Sequence, residues 1–246
     1  MMNQKKSTGN AISGIVLIAA VVTIALFMGL PGKNSRLLSR GEKAIIHRSG
    51  SVMYVLDVAD HEDSIVLRKK CHDFTDWQLK SPEFTTLASK MLATVKSDQQ
   101  GGVGIAGPQV GISHRVVAVC RMDKEGEPFE VYANIHIDSL YGELSLGPEG
   151  CLSIAPMRGN VPRYSDVVIS YKDPRSLSDI TEHISGYTAI IFQHECDHLD
   201  GVLYTDKADS VYVNESWVDD RKPYGEQGLY DKPQWLAKII RKIAEE

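Results

Sequence analysis

Three residues near the end of the chain have the types and spacing to do chemistry: His194, Glu195 and His198, in the order His-Glu-x-x-His. On a helix, residues four apart lie one above the other, so two imidazoles at that spacing can grip a single metal ion. Glu195 then sits about a quarter turn round, beside a metal-bound water that it could deprotonate. The stretch around them, Gly186 to Leu203, is apolar through Ile190, Ile191 and Phe192, which would bury the helix and aim the site inward. The competing reading is two ordinary histidines that meet this spacing by chance.

A helix of this kind supplies two ligands, whereas a catalytic site wants three and an open position. Two upstream segments bear on the third. Glu149-Gly150-Cys151-Leu152-Ser153 offers the thiol of Cys151. Gly102 to Gly111 is a glycine-rich turn without the Lys-Ser/Thr of a phosphate loop or the spacing of a dinucleotide loop. Its glycines permit close backbone approach to a ligand, with the amide of Gln109 nearby as a donor. Downstream acids (Glu215, Asp219, Asp220) are the other source of a third ligand.

These three motifs, in this order, resemble peptide deformylase over roughly Val66 to Asp206. The resemblance implies that Cys151, His194 and His198 hold one ferrous ion per chain, replaceable by zinc, nickel or cobalt. It implies Glu195 as the acid/base, and Gln109 with the backbone N–H of Leu152 as donors to the formyl oxygen. Gly104 would touch the substrate backbone, Arg158 would lie near the peptide, and Glu149 with Arg163 would brace the cysteine loop. The implied reaction removes the formyl group from the N-terminal formyl-methionine of new polypeptides, met near the ribosome, by metal-hydroxide attack. Val103, Tyr187, Ile190 and Ile191 flank the loop and the first turn of the helix, so they are candidate walls for the methionine slot. The sequence departs from the family where Asn134 precedes Ile135 instead of proline, and where Ala106-Gly107 replaces two alanines. Two other readings stand beside this one: a zinc endoprotease using a downstream acid, and a membrane-tethered metal-binding protein without catalysis.

The elements that must position these residues follow from pattern. Val116 to Cys120, Phe129 to Ala133, Val167 to Tyr171 and Ile180 to Ile184 read as strands, and Val52 to Val55 and Ser64 to Leu67 as short strands or extended segments. Ser81-Pro82-Glu83 opens a helix with Phe84, Leu87, Met91 and Val95 on one stripe. Trp235, Leu236, Ile239, Ile240 and Ile243 form an amphipathic C-terminal helix. The expected fold is α+β, with mostly antiparallel sheets packed around a central metal-binding helix.

Composition is that of a globular protein, 43% hydrophobic and 24% charged over 246 residues, and a net charge of −5 gives no reason to expect direct nucleic-acid binding. Four cysteines at irregular spacing do not make a disulfide framework. Ala11 to Leu30 carries no charge and is long enough to cross a bilayer as a helix. The expected organisation is therefore an N-terminal anchor or signal-like segment at 1–32, a basic linker at 33–50 and a catalytic domain at 51–246. The balance of lysine and arginine around the apolar run places that domain on the cytoplasmic side of the membrane, the alternative being a soluble or exported protein after cleavage.

Overall fold

The computed structural model describes residues 34–97, 100–214 and 232–246. Its helices are α1 (Arg40–Ile46), α2 (His61–Leu67), α3 (Asp76–Leu79), α4 (Pro82–Val95), α5 (Tyr187–Leu199) and α6 (Gln234–Glu245). The strands are β1 (Gly104–Ala106), β2 (Val116–Cys120), β3 (Phe129–Gly150), β4 (Met157–Lys172), β5 (Asp179–Ser185) and β6 (Ser210–Val213). They form one six-stranded sheet in the order β1-β2-β3-β4-β5, with β6 paired to β4, and every pairing is antiparallel.

The class is α+β with an antiparallel sheet, but the organising element is the sheet, not a central helix. All five residues of β2 are buried, which a strand covered on one face could not achieve. Val116 and Ala118 pack with Ile46 of α1, Leu87 and Met91 of α4, and Ile240 of α6. Val117 and Val119 point the other way, onto Phe192 and Leu199 of α5. Helices thus cover both faces of this part of the sheet, and α5 is one cover of it.

Helix α4 begins where the sequence says it should. Ser81 caps it by accepting a hydrogen bond from the Phe84 N–H, Pro82 occupies the first turn, and Phe84, Leu87, Met91 and Val95 are buried. Two expectations fail nearby. Ser64 to Leu67 is helical, not extended, because Asp60 caps α2 and Asp63, Val66 and Leu67 make an inward helical stripe. The supposed linker at 33–50 contains α1, started by a Ser39/Glu42 capping box and docked through Ile45 and Ile46. Strand β3 runs on for 22 residues, well past Ala133, bending at three register shifts against β4.

The membrane-spanning helix is also corrected. Residues 11–30, on which that helix and a membrane-anchored localisation rested, lie outside the described residues. Among the described residues no helix is long and apolar enough to cross a membrane. The longest, α4, has 14 residues and spans ~21 Å at 1.5 Å per residue, short of the ~30 Å hydrocarbon core.

Candidate metal centre

The site forms where α5 passes the turn that links β3 to β4. Gly186 enters α5 with φ 69°, a conformation that side chains disfavour, and so lets β5 turn sharply into the helix. Gln193 then pins the helix to β4, accepting from the Tyr164 N–H at 3.1 Å and donating to the Tyr164 carbonyl at 2.7 Å. With Ala189, Phe192, Cys196 and Leu199 facing the core, His194 and His198 are left on the side that meets Cys151.

Cys151 Sγ and one nitrogen of each of His194 and His198 lie within 4.8 Å of one another, and all three residues are buried. Sγ is 3.2 Å from His198 Nε2. It also receives the Ser153 N–H and the Gln109 side-chain amide, both at 3.4 Å. His194 Nδ1 is 2.8 Å from Glu149 Oε2, which fixes the ring and turns Nε2 towards the sulfur. Glu149 is itself gripped by Arg163 through Nε at 2.7 Å and Nη2 at 3.0 Å. Arg163 continues to Asp197 at 2.6 Å, and Asp197 to Lys207 at 2.7 Å. Burial alone would raise the Glu149 carboxyl, but His194 and Arg163 overcome it and hold it at about 2.

The donor set fits a transition metal: one soft sulfur and two imidazoles, aimed at a common point. Burial works against charge on His194, yet Cys151 and Glu149 outweigh it and hold the ring well above its usual range. His198, by contrast, is pushed well below its usual range by burial and by His194, leaving a neutral ring ready to ligate.

Glu195 lies beside the triad, 4% exposed, and burial drives its carboxyl up to about 7 against the pull of His194. Its Oε2 is buried without a hydrogen-bond partner, an acceptor left unsatisfied beside the triad. Gly104 of β1 runs against this carboxylate, and a Cβ there would lie 2.8 Å from Glu195 Cδ. Gln109 is anchored by accepting from the Ala106 N–H at 2.8 Å, so its amide N–H₂ group reaches into the centre.

A cavity of about 200 Å³ opens over these groups. Cys151, His194, Glu195, Gln109 and Gly104 line its floor, and Val103, Ile190 and Ile191 also line it. Leu152, Arg158 and Tyr187 complete the set expected from sequence, and Tyr187 is 55% exposed. His198 alone is absent from the lining, lying below it in the triad. Sequence reasoning missed Pro148 and Gly150, which also line the cavity, and the extension of the Glu149–Arg163 pair to Asp197 and Lys207. Gly150 sits inside a motif already singled out; the extension had no local signal, since its members lie far apart in sequence. Glu215, Asp219 and Asp220, the other candidate third ligands, lie outside the described residues.

Comparison with known proteins agrees with this geometry. The family model for polypeptide deformylase matches residues 55–214. The peptide deformylase of Symbiobacterium thermophilum is 35% identical over 188 residues, covering 76% of this chain and 78% of that one. That of Desulforudis audaxviator is 34% identical over 160 residues, 65% of this chain and 97% of its own. A Met-Ala-Ser-bound class I type b peptide deformylase from Acinetobacter baumannii aligns with a TM-score of 0.56 at 33% identity, covering 63% of this chain and 98% of that one. A buried thiol and two imidazoles on one centre, a carboxylate beside them and a family match spanning all four lead to one assignment: the chain belongs to the peptide deformylase family.

Proposed function

We propose that Cys151, His194 and His198 hold a ferrous ion, replaceable by zinc, nickel or cobalt, and that Glu195 moves the proton in the reaction. The chain is a metal-dependent enzyme that removes the formyl group from N-terminal formyl-methionine on newly made polypeptides. The ion, when bound, supplies Lewis acidity and lowers the pKa of water near neutral pH.

The chain's own residues do the rest. Glu195 accepts a proton from the attacking water as its oxygen bonds to the formyl carbon. The C–N bond then breaks, and Glu195 returns that proton to the departing amine, leaving formate and a free amino terminus. Burial of the Glu195 carboxyl raises its affinity for the proton that it must take up and return. Negative charge gathers on the formyl oxygen, where the Gln109 amide and the Leu152 backbone N–H stabilise it, each worth about 2.7–4 kcal/mol of barrier. Gly104 and Arg158 guide the peptide backbone, and Val103, Tyr187, Ile190 and Ile191 enclose the methionine side chain.

The observation that carries this reading is the convergence of Cys151 with the two histidines beside Glu195. An endoprotease with an acidic third ligand would leave Cys151 unexplained. The test is anaerobic purification, metal analysis and turnover of formyl-Met-Ala-Ser. Cys151→Ala should lose the ion, while Glu195→Gln should keep it and lose turnover by orders of magnitude. A Cys151→Ala protein that retains one ion per chain would overturn the ligand assignment.

A further inference from the structure

Beyond the cavity, the sheet presents an apolar face where an antiparallel sheet normally meets water with polar side chains. Across the outer half of β3 and β4 the two faces separate cleanly. Glu149, Val161 and Arg163 are buried on the inner face. Leu144 and Leu146 alternate with them on the outer face, 55% and 54% exposed, opposite Tyr164 and Pro162. Tyr212 of β6, 43% exposed, extends this face through its pairing with Arg158.

This face is continuous with the catalytic cavity. Pro148 and Gly150 lie on the same side of β3 as Leu144 and Leu146, and both line the cavity. Arg158 pairs with Gly150, its side chain lying against that glycine, and it too lines the cavity. Between Leu144 and Gly150 the only strand paired with β3 among the described residues is β4, so the opposite edge of β3 remains available to an extended chain. A substrate whose amino terminus sits at the metal centre must leave the cavity as a polypeptide. The path along β3 from Gly150 to Leu144 is six residues, about 20 Å at ~3.3 Å per residue, so roughly six extended substrate residues would reach its end.

We infer that the outer face around Leu144, Leu146 and Pro162 binds the downstream part of the nascent chain, so that the enzyme favours formyl-methionine chains with apolar residues at about the fourth to eighth positions. The inference rests on the deformylase reading, and assigns to this chain a selectivity set well beyond the methionine. Such chains are those destined for hydrophobic strands or helices near their amino terminus.

The test uses the full metal-loaded chain and three formyl peptides: formyl-Met-Ala-Ser, a nonamer with that start followed by alternating Leu and Ser, and a nonamer followed by Gly and Ser. The apolar nonamer should exceed the polar one about tenfold in kcat/KM, through KM, equivalent to 1.4 kcal/mol. The double variant Leu144→Asp, Leu146→Asp should abolish that ratio and leave the tripeptide rate unchanged. Equal rates for the two nonamers in the unaltered enzyme would overturn the inference while the deformylase reading stands. So would a double variant that keeps the ratio, or one that changes only the sedimentation coefficient, which would assign the face to self-association. No turnover of the tripeptide would overturn the functional reading and this one with it.

Discussion

Replacing Arg163 with methionine tests whether the network behind His194 is a desolvated brace or a decorative surface pair. Arg163 is 3% exposed and holds Glu149 through two hydrogen bonds and Asp197 through a third. Methionine fills much of the volume and supplies no charge, so Glu149 would be left buried against His194 alone. Breaking a buried pair from one side typically costs 3–5 kcal/mol, whereas exposed pairs are worth about 0–1 kcal/mol. At roughly 2–4 °C per kcal/mol for a domain of this size, the melting temperature should fall by about 6–20 °C. The measurement is urea and thermal unfolding of metal-stripped protein, so that ion binding does not mask the change. Removing both charges, as Arg163→Met with Glu149→Gln, should restore part of the loss, giving a coupling energy of about 1 kcal/mol or more. A loss below about 1 kcal/mol for the single variant, with no coupling, would refute the claim that this network is what holds the cysteine loop to the helix.

Two further outcomes are expected. Glu42 is fully buried, and although burial raises its carboxyl, the hydrogen bond and charge of His114 together with Arg36 hold it at about 2. Its depressed pKa stabilises the folded state above pH ~4.5, by ~3 kcal/mol, and that contribution should vanish as pH falls from there to about 2; unfolding titrations in which Glu42→Gln shows the same acid limb as the unaltered chain would contradict this. Gly104→Ala would drive its methyl into the Glu195 carboxylate, and a displacement of ~1 Å there should lower kcat/KM by about 10²-fold with the far-ultraviolet spectrum unchanged; a kinetic loss of less than about threefold would mean that β1 yields freely.

The groups that meet at the candidate metal centre were readable in the chain because each sits in a local motif. His194, Glu195 and His198 share one helix, where four-residue spacing dictates a common face, and Cys151 and Gln109 each sit in a short motif of their own. Strand β2 and helix α4 were equally legible, the first by its unbroken apolar run and the second by its cap and stripe. Ser64 to Leu67 misled because an apolar run of three residues, Ile65 to Leu67, fits either period; the Asp60 cap decided it as a helix. The residues at 33–50 misled by their charge, which hid a capping box whose Glu42 is buried.

The chain by itself determined that His194 and His198 share a helix face with Glu195 beside them, since helix pitch is a property of sequence, and its motif order offered Cys151 as a third ligand. Tertiary structure alone decided that β3 extends far enough to carry Glu149 behind His194, that Asp197 and Lys207 prolong that support, and that Leu144 and Leu146 face outward beside the cavity. Those relations join residues 10 to 45 positions apart, whose meeting depends on strand register and on which face of the sheet each side chain takes. Neither is written in any single stretch of the chain.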